Sequence, residues 1–387
     1  MHVQPPQDPA HGYPAQACLD GVLHVALLTD QNYVGLTATA IASLVECFVR
    51  AFREKGAGAS CLSIHVICLE VDAPGKATMA RAALLPEGVV GQAVRVEFSC
   101  VDHVLPGNPQ GRQRWLQLVS LKLHLPSLLP ALERVIFLDS DIVVVDDLRP
   151  LWCTDLEGHW LGVVPCLLDH PRCLANYDIF KIRFRHVAEP VNAGVLLLDL
   201  ARMRAQGVTE QLVRWQQEHA AQLKLPEQEA ISANFPRQWK VLDHRWNFRP
   251  YGEPYWTASS WPEFRSYLAI RPAIVHFQAN VRPFDLRIDL PYFDHWQRNH
   301  RRVHGDQALR RKRLGYFQFV FFEYPEMMCR ISNWLPGGLI RFGVMIPLLG
   351  LVTLPHAGWA YLRYLRHPEG YVLRIRRYLA AVAEEGT

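Results

Sequence analysis

The chain has 387 residues, half of them hydrophobic and a fifth charged. That composition excludes a disordered polyelectrolyte and leaves room for one large α/β domain with an appendage, since domains usually hold about 100–200 residues. The formal charge of +4 is uneven: 13 Lys+Arg against 6 Asp+Glu follow from Arg301 onward, leaving the first 300 residues net negative. This basic tail is apolar between its arginines and lacks the aromatic-basic pattern of a nucleic-acid module. It excludes DNA and RNA as expected partners and points to an anionic membrane surface.

In chain order, the Pro-rich, polar opening reads as a disordered leader over residues 1–21, without the basic start and apolar run of a secretory signal. "VLHVALL" (22–28), "LSIHVICLE" (62–70), "AVRVEFS" (93–99) and "RVIFLD" (134–139) are predicted strands. "GLTATAIASLVECFVRAF" (35–52), "APGKATMARAALL" (73–85) and "RWLQLVSLKLHLPSLL" (114–129) are the helices between them, the last broken near Pro126. This alternation predicts a mostly parallel sheet covered by helices, with ligands beyond the carboxyl ends of the strands. "PVNAGVLLLDL" (190–200) and "AIVHFQ" (273–278) read as later strands and "VTEQLVRWQQEHAAQL" (208–223) as an amphipathic helix, so residues 22–300 form one catalytic-sized domain. Residues 301–387 form a basic, apolar, helical extension. Within it, 342–362 holds no Lys, Arg, Asp or Glu, but Pro347 and Pro355 favour an interfacial or re-entrant anchor over one straight span. The nine cysteines are odd in number and include no Cys-x-x-Cys pair, so no disulfide framework or zinc site is expected and a reducing compartment is the simpler reading.

"VIFLDSDIVVV" (135–145) sets Asp139 and Asp141 around Ser140 where a buried strand leaves the core. An Asp-x-Asp pair is most often a solvated turn. Here apolar runs lie on both sides and a second acidic pair, Asp146 and Asp147, follows. Two carboxylates on one side of an extended backbone can chelate a hard divalent cation, and without one they repel. His276, at the end of the late strand, is the best third ligand. Such a metal bridges a diphosphate and stabilises its departure.

These residues resemble glycosyltransferase family 8, the retaining, metal-dependent sugar-nucleotide transferases, over about residues 22–300. The likeness rests on "VALLTDQNYVGLTATAIASL" (25–44), "LERVIFLDSDIVVVDDLRPLWCTDLEGHWLGVV" (132–164), "VNAGVLLLDLARMR" (191–204), "LPEQEAIS" (225–232), "HRWNF" (244–248) and "HFQANVRPF" (276–284), in the family's order. The resemblance implies a nucleotide-diphospho-sugar transferase (GT-A type) fold, a single Rossmann-like domain. It implies that Thr29, Asp30, Asn32 and Tyr33 hold the uridine, Tyr33 by stacking, and that Asp139, Asp141 and His276 bind Mn²⁺ or Mg²⁺. It further implies that Asn192 contacts the donor sugar while Ala193 and Gly194 let the backbone approach, and that Glu227 and Gln228 face that sugar. The chain departs from the family pattern at Ser120 and Lys122, where a Tyr and an Arg are usual, and in the late motif at Ala279, Arg282 and Phe284, where Gly, Lys and Trp are usual.

The expected reaction moves a hexosyl group from a UDP-sugar, UDP-glucose or UDP-galactose, to a glycan or glycolipid hydroxyl with retention. The metal, Lys122 and Arg282 stabilise the diphosphate. Gln228 is a poor nucleophile, which favours front-side attack with Glu227 as the fallback nucleophile. The tail suggests an acceptor at a membrane, as in lipopolysaccharide or cell-surface polysaccharide synthesis, and a cytoplasmic protein lying on the inner membrane. The alternatives are a catalytically inactive, membrane-bound sugar-nucleotide scaffold and a nucleotidyltransferase, for which "TDQNYVGLT" lacks the Gly-rich loop.

Overall fold

The computed structural model describes residues 21–55, 61–84, 93–101, 112–165, 191–220, 223, 225–236, 238–249, 270–277, 292–305 and 356–367. Its centre is a seven-stranded sheet in the order β3-β2-β1-β4-β7-β6-β8. The strands are β1 (Val22–Asp30), β2 (Cys61–Leu69), β3 (Ala93–Val101), β4 (Arg134–Leu138), β6 (Leu161–Pro165), β7 (Val191–Asp199) and β8 (Lys240–Val241). β3, β2, β1 and β4 run parallel, β7 runs antiparallel to both β4 and β6, and β8 is parallel to β6. β5 (Ile142–Val144) and β9 (Ile274–His276) form a separate antiparallel ribbon. The expected mostly parallel α/β sheet is therefore present.

Every residue of β2 is buried, as a strand covered on both faces requires. Odd-numbered β1 residues Leu23, Val25 and Leu27 pack with α1 (Val34–Lys55) and α2 (Ala73–Ala82), whereas Ala26 and Leu28 pack on the opposite face. That second face is covered by α3 (Arg112–Ser120), the 3-10 turn Leu121–His124, α4 (Leu125–Leu128), α6 (Leu200–Ala205), α7 (Val208–His219) and α8 (Pro226–Asn234). α5 (Arg149–Trp152) inserts Trp152 into the first core. α9 (Phe293–His304) packs on α1, with Asn299 Nδ2 donating to Glu46 at 2.9 Å. α10 (His356–Arg366) follows within the C-terminal region 301–387, which the end of α9 already enters.

One sequence expectation changes. Cys153 is disulfide-bonded, although no disulfide framework was expected; Cys47, Cys61, Cys68 and Cys100 are free. Among the described residues, the one stretch long and apolar enough to cross a bilayer is Gln31–Glu54, 83% buried inside the protein, so it serves as a core helix. Of the predicted apolar segment 342–362, only the part from His356 onward lies within the described residues, as the start of α10.

The topology gathers one set of chain ends. Because β1 and β4 are parallel, Asp30 and Asp139 leave the sheet at the same edge. Because β7 is antiparallel to β4, with Val195 opposite Leu138, its amino end at Asn192, Ala193 and Gly194 arrives there too. The ribbon pairs Ile142 with His276, bringing the end of β9 beside Asp141.

Candidate active site

At the end of β1, the carboxylate of Asp30 caps the 3-10 turn Gln31–Tyr33, its Oδ1 accepting from Asn32 N at 2.9 Å and Tyr33 N at 3.2 Å. Thr29 is buried and accepts from the hydroxyl of Thr37 at 2.9 Å. Asn32 is exposed and Tyr33 half-buried. Asp30 is thus occupied in shaping the turn that presents its two neighbours.

Asp139 and Asp141 flank a turn between β4 and β5, rather than lying on one extended strand as the sequence suggested. Ser140 accounts for the difference. Its hydroxyl donates to Leu28 O at 2.8 Å and lies 2.8 Å from Thr37 Oγ1, so the middle residue is pinned inward and both aspartates face the edge. The backbone N–H of Asp139 donates to Gly194 O at 2.8 Å, tying the turn to β7.

His276 is buried, with Nε2 3.2 Å from Asp141 Oδ1 and 3.9 Å from Asp139 Oδ2. One ligand atom from each of these three residues lies within 4.8 Å of the others. Two carboxylates and one imidazole form a donor set suited to Mn²⁺ or Mg²⁺. The backbone also makes room for it. A Cβ on Gly194 would stand 2.1 Å from His276 Cε1, so the glycine is the cradle of the imidazole.

The tautomer of His276 follows from its neighbours. Gly194 N–H, which can only donate, gives its proton to Asn192 Oδ1 at 3.1 Å. Asn247 Nδ2 donates to the same oxygen at 2.8 Å, which turns Asn247 Oδ1 toward His276 Nδ1, 3.0 Å away. The proton therefore belongs on Nδ1, and Nε2 presents its lone pair to the aspartates. Asn247 stands in "HRWNF", but nothing in the sequence joins it to His276. The signal lies in the pairing of β9 with the residues after the 3-10 turn His244–Asn247, where His276 N donates to Phe248 O at 2.8 Å.

Lys122 is buried on the other side of Asp139. Its Nζ lies 2.8 Å from Asp139 Oδ1 and 3.6 Å from Glu227 Oε1, and donates to Ala193 O at 3.1 Å. Burial alone pushes a lysine pKa down, but the carboxylates of Asp139 and Glu227 outweigh it, so Lys122 lies above its usual value and stays an ammonium. Burial pushes the Glu227 carboxyl up despite Lys122, and its buried Oε2 has no hydrogen-bond partner among the described residues. Glu227 is held by the start of α8, where Pro226 opens the helix and Glu229 Oε1 accepts from Leu225 N at 2.6 Å. Gln228 is half-buried beside it. Arg282, with Ala279 and Phe284, lies outside the described residues. The structure thus brings Lys122, Asp139, Asp141, Asn192, Ala193, Gly194, Glu227 and His276 to one edge, with Thr29–Tyr33 tied to them through Thr37 and Ser140.

Comparison with known proteins agrees with this geometry. A probable galacturonosyltransferase 7 of Arabidopsis thaliana is 32% identical over 216 residues, covering 53% of this chain and 32% of that protein. The chain therefore spans about a third of the length of that relative. General stress protein A of Bacillus subtilis is 23% identical over 284 residues, covering 72% of this chain and 92% of its own length. The fold is similar to that of galactosyltransferase LgtC, solved with donor and acceptor sugar analogs, at a TM-score of 0.55 and 20% identity, covering 72% of this chain and 95% of that one. The pattern of glycosyl transferase family 8 matches residues 24–285. With its GT-A-like sheet and Asp-Ser-Asp turn in that span, this chain belongs to glycosyl transferase family 8.

Proposed function

We propose that this protein is a retaining hexosyltransferase that moves a hexose from a UDP-sugar, UDP-glucose or UDP-galactose, to a glycan or glycolipid hydroxyl. Membership of the family, together with an Asp-Ser-Asp site, implies a divalent metal, a UDP-sugar donor and a glycan acceptor. The observation that carries the reading is the juxtaposition of Asp139, Asp141 and His276 with the buried Lys122–Glu227 pair. The three ligands would hold Mn²⁺ or Mg²⁺, which supplies Lewis-acid neutralisation of the leaving diphosphate.

The remaining work falls to the chain's own residues. Asn32 and Tyr33 would receive the uridine at the turn capped by Asp30. Lys122 holds Asp139 in place and adds positive charge at the edge where the departing diphosphate develops negative charge. Glu227 Oε2, buried and without a hydrogen-bond partner among the described residues, would accept a donor-sugar hydroxyl. A carboxyl raised by burial and held by an ammonium is a weak nucleophile, and Gln228 is an amide, so attack from the leaving-group side is the favoured route to retention.

The test is UDP release from a panel of UDP-sugars with Mn²⁺, using Asp139→Ala/Asp141→Ala as the blank. Release from one donor, lost in the double variant and with chelator, supports the reading and identifies the sugar. Metal-dependent UDP binding without release from any donor, acceptor present, favours an inactive scaffold. No UDP binding at all overturns the proposal.

We further propose a cytoplasmic enzyme resting on the inner membrane and acting on lipopolysaccharide or another surface glycan. The support is α10. Ala357 and Tyr364 are buried, while the opposite face exposes Trp359 (66%) and Leu362 (53%) beside Arg363 and Arg366. An aromatic and a leucine flanked by arginines suit an anionic lipid interface. Flotation with phosphatidylglycerol vesicles is expected for the wild type and reduced several-fold in Trp359→Ser/Leu362→Ser. Equal flotation of the two proteins would rule out this face.

A further inference from the structure

We propose that Cys100 is a site of thiol modification, in which the Lys76 ammonium lies against its sulfur and Cys68, its in-register neighbour, closes a disulfide on it after oxidation by a hydroperoxide. The pair lies on adjacent parallel strands, Cys68 of β2 directly opposite Cys100 of β3. Residues in register point to the same face, and neighbouring strands stand about 4.7–4.9 Å apart, inside the Cα separation that a disulfide spans. Lys76 of α2 lies over that face, its Nζ 2.8 Å from Cys100 Sγ. Cys100 is exposed and Cys68 is fully buried. An exposed thiol beside an ammonium is the reactive arrangement, whereas a buried thiol is inert toward solvent reagents.

That asymmetry fixes the order of events. Burial, reinforced by the negative charge of Cys100, pushes the Cys68 thiol up to about 11, so Cys68 does not make the first attack. The Cys100 thiolate attacks the terminal oxygen of the hydroperoxide. An S–O bond forms and the O–O bond breaks, giving a sulfenic acid and, from hydrogen peroxide, hydroxide that leaves as water. Sulfur loses two electrons and the peroxide gains them. Cys68 sulfur then attacks Cys100 sulfur, the S–S bond forms, the S–O bond breaks, and hydroxide leaves with the Cys68 proton as water. Thiol reductants reverse the product.

The site lies close to the candidate donor edge. Cys68 is also in register with Thr29 of β1, and the turn after β2 reaches the capped 3-10 turn through Asp72 N, which donates to Gln31 Oε1 at 3.1 Å. The inference does not depend on the donor reading, because mass alone reads it out.

The test uses the full chain with Lys76→Met, Cys68→Ser and Cys100→Ser, each checked for a native circular dichroism spectrum. Peptide mapping after iodoacetamide is expected to show Cys100 alkylated about tenfold faster in the wild type than in Lys76→Met, the effect of one nearby opposite charge. Hydrogen peroxide is expected to link the Cys68 and Cys100 peptides in the wild type, reversibly with dithiothreitol, and to leave a dimedone-reactive Cys100 in Cys68→Ser. Equal alkylation rates would overturn the site. A wild type that carries the dimedone adduct without the cross-link would overturn the role of Cys68.

Discussion

Gly194 and Asn192 illustrate how one residue serves a neighbour that no sequence pattern joins to it. The resemblance assigns both to the donor sugar. In the structure, the missing Cβ of Gly194 is the space in which His276 sits, and Asn192 Oδ1 begins the hydrogen-bond relay that sets the imidazole tautomer. Gly194→Ala should therefore weaken Mn²⁺ binding by at least tenfold in titration calorimetry while the fold persists, because the methyl expels the ring. Asn247→Leu removes the acceptor for Nδ1–H and should weaken the metal by about 10–100-fold, as loss of a ligand's supporting hydrogen bond does. Asn192→Asp keeps an acceptor for both donors and should stay within a few-fold of wild type; a loss as large as that of Asn247→Leu would disprove the relay. The candidate metal-site residues Asp139, Asp141 and His276 stood out in the sequence because their types and strand-end positions are local facts, and the structure brings one ligand atom of each within 4.8 Å of the others. The Lys122–Asp139–Glu227 contact depends on a lysine in a 3-10 turn crossing beneath β4 and β7, and no local pattern encodes that.

At the scale of elements, β1, β2, β3, β4, β7 and β9 were legible to within a few residues because each is an apolar run bounded by turn formers, whereas the short β5, β6 and β8 were not read as strands. The direction of β7 was not legible. A fully buried strand is apolar on both faces whichever way it runs, so "PVNAGVLLLDL" carries no mark of being antiparallel to β4. The acidic pair after β5 also reads differently in three dimensions. Asp146 pairs with Arg245 Nη2 at 2.6 Å, while Asp147 takes Arg149 Nε at 3.0 Å on each oxygen, deep in the structure. These carboxylates fasten α5 and the turn near β9 rather than adding metal ligands. Removing one partner of a buried pair strands the other charge, so Asp147→Ala should cost about 3–5 kcal/mol in urea unfolding. Replacement of exposed Asp155 should cost less than about 0.5 kcal/mol.

Across the whole molecule, several histidines are placed to make the fold acid-sensitive. Burial, with the nearby His304, lowers His300 from 6.5 to about 4, and burial also lowers His65, His124 and His304. The unfolded chain binds more protons than the folded one between these values. Stability is therefore full above about 6.5 and is lost as the pH falls toward about 4. The melting temperature should drop steadily from pH 7 to pH 5, and less steeply in His300→Gln. A flat profile over that range would contradict the burial of these rings. The gathering of distant segments at one sheet edge has a consequence for biosynthesis. Asp139 and Asp141 emerge from the ribosome long before His276, so a nascent or truncated chain holds two thirds of the ligand set and no third arm. On the proposed metal reading, a metal-charged support is expected to retain chains that carry His276 over fragments that end before it.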